Sequence, residues 1–288
     1  MSAIVGGFIM SHDPLVFINP RKKDPGSVLE AYAEIRRRVA ELRATSAIII
    51  GADHYILFGP KCLPQLLIGL GEINGPVDQL PGVPNKAIPH NPGLAKHIFS
   101  YSQEAGFDLA VSKGLAVDHA IGVPAQLCLP EDGSVKTVPV YMASGVEPYI
   151  RLQRAHQFGA MLRAAVEAQD GDERVVIFGS GGISHWVGTG EMGKIEQDFD
   201  RFVLDAIASG DARSLLTLSD RETMLRGGNG ALEIRHYLAV MGALPGAQGE
   251  VLAYHAWDGG VTGLGFAQIH AGSRSAGDPV FQRATVEA

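Results

Sequence analysis

Three runs along the chain, Ala3 to Met10, Ala47 to Ile50 and Val175 to Gly179, contain no charged side chain. Continuous apolar runs of this length mark strands covered on both faces at the centre of a parallel sheet, because a half-exposed strand would alternate. Between the first two runs the period changes. Leu29, Tyr32, Ala33, Val39, Ala40 and Leu42 form one apolar stripe, and Glu30, Glu34, Arg37 and Arg38 lie opposite it. That spacing predicts a helix of about four turns capped by Ser27. Strand, helix, strand is a βαβ unit, and it ends at Asp53-His54.

The same patterning extends through the chain. From Gly59 to Pro92 the prolines and glycines crowd together, which predicts a long surface excursion. Leu94 to Ala105 reads as a helix, Phe107 to Ser112 as a short strand, Ala120 to Leu129 as an apolar stretch and Lys136 to Ala143 as a strand. Leu152 to Ala168 reads as a helix that leads into the strand Val175 to Gly179. Ile195 to Ala208 is helical, with Phe199, Phe202, Val203 and Ile207 on one face. Ser219 with Glu222 forms a capping box, and Ala231 to Leu244 is a helix with Glu233 in its first turn. Val251 to Trp257 and Gly263 to Ile269 read as closing strands. The fold class that follows is α/β: a single domain over residues 1–271, with a central, mostly parallel sheet flanked by helices and a loose tail at 272–288.

Composition narrows the function. The 288 residues are 46% hydrophobic and 19% charged, an ordinary globular balance, and the net charge of −7 without a dense basic cluster argues against nucleic acid as a partner. No apolar run reaches the length of a membrane span. Met1 to Met10 lacks a basic segment and a cleavage site, so the expected location is the cytoplasm. With only Cys62 and Cys128, a Cys-rich metal site and a disulfide framework are both excluded, and any metal must be held by His and carboxylates.

Ten histidines are available. Position sorts them. Ligands in open α/β sheets gather beyond the carboxyl ends of the strands, where His12, His54 and His185 each follow an apolar run. His119, after Asp118, shares that setting more weakly. His97, His156 and His236 fall within helices and read as surface or packing residues. Glu233 and His236 form a single Glu-x-x-His, whereas a di-iron bundle needs two; Glu233 therefore reads as one carboxylate able to join two strand-end histidines. Around Gly179-Ser180-Gly181-Gly182 a P-loop, a dinucleotide fingerprint and a nucleophile elbow each fail on a residue. The glycines instead permit a tight turn and a close backbone approach.

Two imidazoles and one carboxylate on one face of a metal leave open positions opposite, the arrangement of non-haem Fe(II) oxygenases, with zinc as the second candidate. A singly deprotonated catechol would balance the +1 charge of such a site. The segments Ser11-His12-Asp13-Pro14-Leu15, Ala52-Asp53-His54-Tyr55, Val117-Asp118-His119-Ala120, Gly179 to His185 and Asn229 to Ile234 together resemble the class III, LigB-type extradiol catechol dioxygenases, and they occur in that family's order.

The resemblance implies that His12, His54 and Glu233 hold Fe(II), that His185 is the acid/base histidine, and that Asp118-His119 is a second catalytic histidine with its neighbour. It further implies a catechol substrate, such as protocatechuate, gallate or dihydroxyphenylpropionate, opened beside its diol with O₂. The expected assembly is a homo-oligomer, with a small partner subunit as an option. The chain is shorter between His185 and Glu233 than the dihydroxyphenylpropionate type. Two other readings compete: a zinc-dependent hydrolase, and a non-catalytic partner subunit on the same fold. Arg21, Lys22 and Lys23 read as a solvated charged turn, with a contact to a substrate carboxylate as the alternative.

Overall fold

The computed structural model describes residues 1–18, 25–256 and 260–272. The basic turn at Arg21 to Lys23, Trp257 and the expected tail from residue 273 onward lie outside them. In chain order the elements are β1 (Ala3–Met10), α1 (Leu15–Ile18), α2 (Pro25–Glu41), β2 (Ser46–Gly51), β3 (Leu66–Gly75), β4 (Lys86–Ile88), α3 (Pro92–Glu104), β5 (Ala110–Ala116), α4 (His119–Leu127), β6 (Lys136–Met142), α5 (Leu152–Ala168) and β7 (Arg174–Ser180). Then come α6 (Gln197–Ser209), α7 (Ala212–Leu216), α8 (Asp220–Gly227), a 3₁₀ turn (Gly230–Glu233), α9 (Ile234–Ala243), β8 (Gly249–Ala256) and β9 (Gly263–His270). Among the described residues no helix is long and apolar enough to cross a membrane.

The strands form one mixed sheet in the order β4-β3-β6-β2-β7-β1-β9-β8, with β5 paired to β3. Its centre, β6-β2-β7-β1, is parallel. Both flanks carry antiparallel strands. The centre is covered on both faces, as its unbroken apolar runs require. Ile48 and Ile50 of β2 enter the core under α3, α5, α6 and α9, while Ala47 and Ile49 enter the core under α2 and α4. The two-residue period sends alternate side chains to opposite faces.

Because β1, β2 and β7 run the same way and pair in register, Met10 lies beside Ser180 and Ile50 beside Gly179. Their carboxyl ends therefore share one rim, from which the segments bearing His12, His54 and His185 emerge.

The structure corrects the sequence reading in several places: α2 begins at Pro25, so Ser27 lies inside the helix rather than capping it. The Pro/Gly-rich excursion contains a ten-residue strand, β3, because Pro64 and Pro76 bracket rather than interrupt Leu66-Leu67-Ile68, whose backbone pairs with β6. The strand expected at Phe107 to Ser112 starts later, at Ala110, where the chain pairs with β3; Phe107 and Leu109 are core residues before it. The apolar stretch after His119 is the buried helix α4, which contains Pro124. The last long helix opens with the 3₁₀ turn, so Glu233 sits at a junction rather than inside a regular first turn. The expected cap is present in its first half: Ser219 Oγ accepts the Glu222 N–H at 3.1 Å.

Helices α5 and α9 touch backbone to backbone. A Cβ on Gly159 would lie 1.8 Å from the Ala239 carbonyl oxygen, and one on Gly242 would lie 2.0 Å from that of His156. Replacing Gly159 by Ala must force the helices apart, with an expected loss of about 1–3 kcal/mol for overpacking. Urea unfolding followed by circular dichroism measures it, and an unchanged midpoint would show that the helices separate freely.

Candidate metal centre and active site

Each histidine at the rim is oriented by a partner on its Nδ1. His12 Nδ1 lies 2.8 Å from Ser180 Oγ at the end of β7, on the strand beside its own. After β2, Asp53 accepts the N–H groups of Leu57 and Phe58 at 2.9 and 3.1 Å, which closes a turn around His54. His54 Nδ1 and its backbone N–H then meet Asp118 Oδ2 at 2.9 and 3.2 Å. Asp118 is itself fully buried, and its other oxygen accepts the Tyr141 hydroxyl at 2.9 Å. His119 opens α4, with Nδ1 2.9 Å from Asp78 Oδ2 and its backbone N–H on the same oxygen. His185 Nδ1 lies 3.3 Å from the Ile183 carbonyl. Carbonyl and carboxylate partners accept, so Nδ1 carries the proton in His54, His119 and His185. Their Nε2 atoms point away from those partners and are available to a metal once deprotonated.

Glu233 lies among these rings. Its Oε2 accepts the Gly182 N–H at 2.7 Å. Its Oε1 is 3.5 Å from His12 Nε2 and 3.8 Å from His54 Nε2, and Oε2 is 3.9 Å from His185 Nε2. The β7 turn comes this close because residue 181 is glycine; a Cβ there would lie 2.8 Å from that of Glu233. His119 joins the same cluster: nitrogens of His12, His54 and His119 all lie within 4.8 Å of one another. The structure therefore gathers His12, His54, His119, His185, Asp118 and Glu233 at one rim. Two three-residue ligand sets share His12 and His54, one completed by Glu233 and the other by His119.

A cleft of about 230 Å³ opens over the cluster, with Leu15, Val187, Met192 and Val261 on its walls. Burial acts unevenly on the ionisable groups. It raises the Glu233 carboxyl to about 7, despite the pull of His54 and the Gly182 N–H in the other direction. For His54, burial lowers the pKa, but the Asp118 carboxylate outweighs it and holds the ring at about 9. Asp118 is correspondingly held below the usual carboxylate range: its burial opposes ionisation and the His54 contact overcomes that. Burial lowers His12 well below its ordinary value and takes His185 to about 4. The His185 ring is thus neutral throughout the physiological range.

A family model described as "Catalytic LigB subunit of aromatic ring-opening dioxygenase" matches residues 6–265. The chain belongs to this family. Among curated relatives, it is 28% identical over 178 residues to a 2,3-dihydroxyphenylpropionate/2,3-dihydroxicinnamic acid 1,2-dioxygenase of Rhodococcus globerulus, covering 61% of this chain and 55% of that one. A second, from Rhodococcus sp, is 25% identical over 291 residues, with 83% and 88% covered. The chain thus spans little more than half of the first relative and most of the second. A crystal structure of the uncharacterized protein JW3007 from Escherichia coli K12 superposes with a TM-score of 0.59 at 14% identity, covering 92% of this chain and 99% of that one, which shows a shared fold.

Three residues that sequence reasoning missed shape the LigB site. Asp78 lies in the Pro/Gly-rich excursion, forty-one positions before its partner His119, with nothing around it to mark it. Tyr141 ends a strand that was assigned only to the core. Ser180 was weighed solely as a nucleophile, although the parallel pairing of β1 with β7 was a usable signal for its place beside His12. Asp118 also turns out to hold His54 rather than its neighbour His119. His236 is a fully buried packing histidine, with Nδ1 2.7 Å from the Ser180 carbonyl.

The donor set fits a divalent cation, since a buried carboxylate oxygen and two free Nε2 atoms converge with their other polar atoms engaged. Before ligation, Glu233 at about 7 and His54 at about 9 must lose their protons. Both are raised, so the proton competes with the metal up to those values and ceases to do so above them. Affinity for Fe(II) or Zn(II) should therefore increase as pH rises through about 7 to about 9, with proton release on binding. Calorimetry in two buffers of different ionisation heat reads the protons; a pH-independent affinity would contradict the assignment.

Proposed function

We propose that this protein is a non-haem Fe(II)-dependent extradiol dioxygenase that opens a catechol ring beside its diol and places both atoms of O₂ in the product. The observation that carries the reading is the carboxylate–histidine cluster: Glu233 Oε1 faces the free nitrogens of His12 and His54 at 3.5 and 3.8 Å. Two histidines and one carboxylate on one face suit Fe(II) and leave positions for substrate and oxygen. Glu233 is preferred to His119 as the third ligand on electrostatic grounds. A 3%-exposed carboxylate with one hydrogen bond needs a cation, and an anionic ligand brings the site to +1. Names of the curated relatives support a 2,3-dihydroxyphenyl substrate with a side chain on the next ring carbon.

When bound, Fe(II) supplies positions for the two catechol oxygens and for O₂, and a path for electron density between them. The residues supply the rest. Leu15, Val187 and Met192 on the cleft walls exclude water from the ring. Neutral His185, with its Nδ1–H on the Ile183 carbonyl, presents the Nε2 lone pair to the cleft and accepts a proton from a catechol hydroxyl there. The same atom returns the proton when the ring opens. His119, oriented by Asp78, flanks the substrate from α4 and accepts a hydrogen bond on Nε2 from a substrate hydroxyl on that side. Asp118 and Ser180 fix the His54 and His12 rings so that both Nε2 atoms stay directed at the ion.

Replacing His12, His54 or Glu233 by Ala should strip the iron from the purified protein. His185→Ala and His119→Ala should keep it while losing roughly 10²- to 10⁴-fold in turnover, the contribution of a positioned acid/base. Iron content by atomic emission, followed by an absorbance assay for yellow ring-opened products from anaerobically reconstituted enzyme, reads both. Loss of iron in His119→Ala with retention in Glu233→Ala would reverse the third ligand. Turnover by a zinc-loaded form under argon would establish a hydrolase instead.

A further inference from the structure

His185 stands on a turn outside the strands and helices, paired with Thr262 by an isolated antiparallel bridge, yet a proton-transferring ring has to stay close to its mark. The turn is tied at several points. The His185 N–H donates to the Gly227 carbonyl at 2.8 Å, and its own carbonyl accepts the Gly230 N–H at 3.0 Å. On the other side Ile183 N–H donates to Gly263, and Gly263 N–H donates to the Ser184 carbonyl at 2.9 Å. These are backbone bonds. Side chains add to them: Asn229 accepts the Val187 N–H at 2.8 Å after His185, and before it Asp200, fully buried on α6, accepts the Ser184 N–H on Oδ1 at 2.7 Å. Its other oxygen accepts the Tyr254 hydroxyl from β8, also at 2.7 Å.

The surroundings are built to admit this carboxylate. A Cβ on residue 263 would lie 2.0 Å from Asp200 Oδ2, so β9 can begin against it only with glycine there. Ser184 is engaged at three atoms: its N–H on Asp200, its carbonyl on Gly263 and its Oγ accepting the Glu196 N–H at 2.8 Å. The α6 amino end, the start of β9 and the β8 tyrosine are thereby joined through one buried side chain to the residue that precedes His185. A buried acid without a paired cation is costly, and here two strong donors are aimed at it. The carboxylate is not needed for core packing, which an apolar side chain of similar volume would serve.

Resting on the extradiol reading above, we propose that Asp200 is a positioning residue for the reaction: it holds the Ser184–His185 turn so that the His185 imidazole meets the substrate hydroxyl. Asp200 touches neither the ligand set nor the cleft wall, so its influence on rate runs through His185. A displacement of about 1 Å at a reacting group can cost on the order of 10²-fold.

The test uses the full-length protein reconstituted with Fe(II), with Asp200→Ala and Asp200→Asn compared. An asparagine can still accept the Ser184 N–H on Oδ1 and can donate to Tyr254, so it should restore what alanine loses. The expected result is iron retained in both, kcat lowered roughly 10²-fold in Asp200→Ala with KM little changed, and kcat within a few-fold of the parent in Asp200→Asn. Full kcat in iron-loaded Asp200→Ala would overturn the proposal. So would an equal fall in both variants, or iron lost along with activity in Asp200→Ala.

Amide hydrogen exchange at Ser184 gives a second readout that needs no turnover. It should become fast in Asp200→Ala and stay slow in Asp200→Asn. Should the alanine variant not fold, the asparagine variant decides: a slow Ser184 amide with near-parental kcat, or a fast amide with lowered kcat, supports the link. A fast amide with full kcat, or a slow one with kcat collapsed, refutes it. If the parent enzyme opens no catechol, the extradiol reading fails on its own, and a Ser184 amide that exchanges alike in parent and Asp200→Ala then removes the positioning link as well.

Discussion

A carboxylate buried among imidazoles is the constraint on which the rest of this structure depends. Glu233 is 3% exposed and receives one backbone hydrogen bond, from Gly182. An ionised carboxylate held in that way is far from the solvation it has in water, and the shortfall is met by protonation or by a cation. Everything nearby favours the cation. Asp118, Asp78 and the Ile183 carbonyl occupy Nδ1 of three surrounding histidines, and each leaves its Nε2 free to ligate or to accept a proton. The β7 turn is glycine at 181, so its backbone can lie against Glu233. The fold supplies the convergence itself, because three parallel strands ending in register bring their following residues to one edge.

On the proposed reading, the same arrangement separates ligand from base without changing residue type. His54 and His185 are both histidines at strand ends within reach of Glu233. One is held at about 9 by the Asp118 carboxylate, and the other is driven to about 4 by burial with only a carbonyl as its Nδ1 partner. A ring backed by a carboxylate is a stronger donor to a metal. A ring backed by a carbonyl stays neutral, which in the proposed reaction leaves it able to take a proton from the substrate and give it back readily. Between these two rings the difference lies in the partner of the far nitrogen; His119, backed by Asp78, and His12, beside Ser180, owe their proposed roles to position instead.

Much of this was legible in the chain. Unbroken apolar runs identified β1, β2 and β7 as central parallel strands, and their ends located three of the histidines; the order of five short segments supplied the family and, by resemblance, Glu233 and His119. The rest was hidden for definite reasons. β3 could not be read because its prolines lie at its borders, where they look like the punctuation of a loop. Asp78 and Tyr141 act through contacts across dozens of residues, and no local spacing encodes a contact of that kind. Asp118 was read with its sequence neighbour, yet it points back from the start of α4 to the β2 loop, a direction that only the packing of α4 against β2 determines.

The distribution of small and acidic residues ties these observations together. Gly159 and Gly242 let α5 and α9 close on one another, Gly181 lets the β7 turn meet Glu233, and Gly263 makes room for Asp200. Each is a close approach that a Cβ would forbid, and two of the four, Gly181 and Gly263, bear on Glu233 or on the turn that carries His185. The acids follow a parallel logic: Asp118, Asp78 and Asp200 are not in the cleft, and each holds a group that is, or the residue next to it. These three carboxylates thus orient groups of the cleft from one layer back, while Asp13 and Glu233 line it, both with carboxyls raised by burial, so that in the proposed reaction the negative charge a divalent ion must balance stays small.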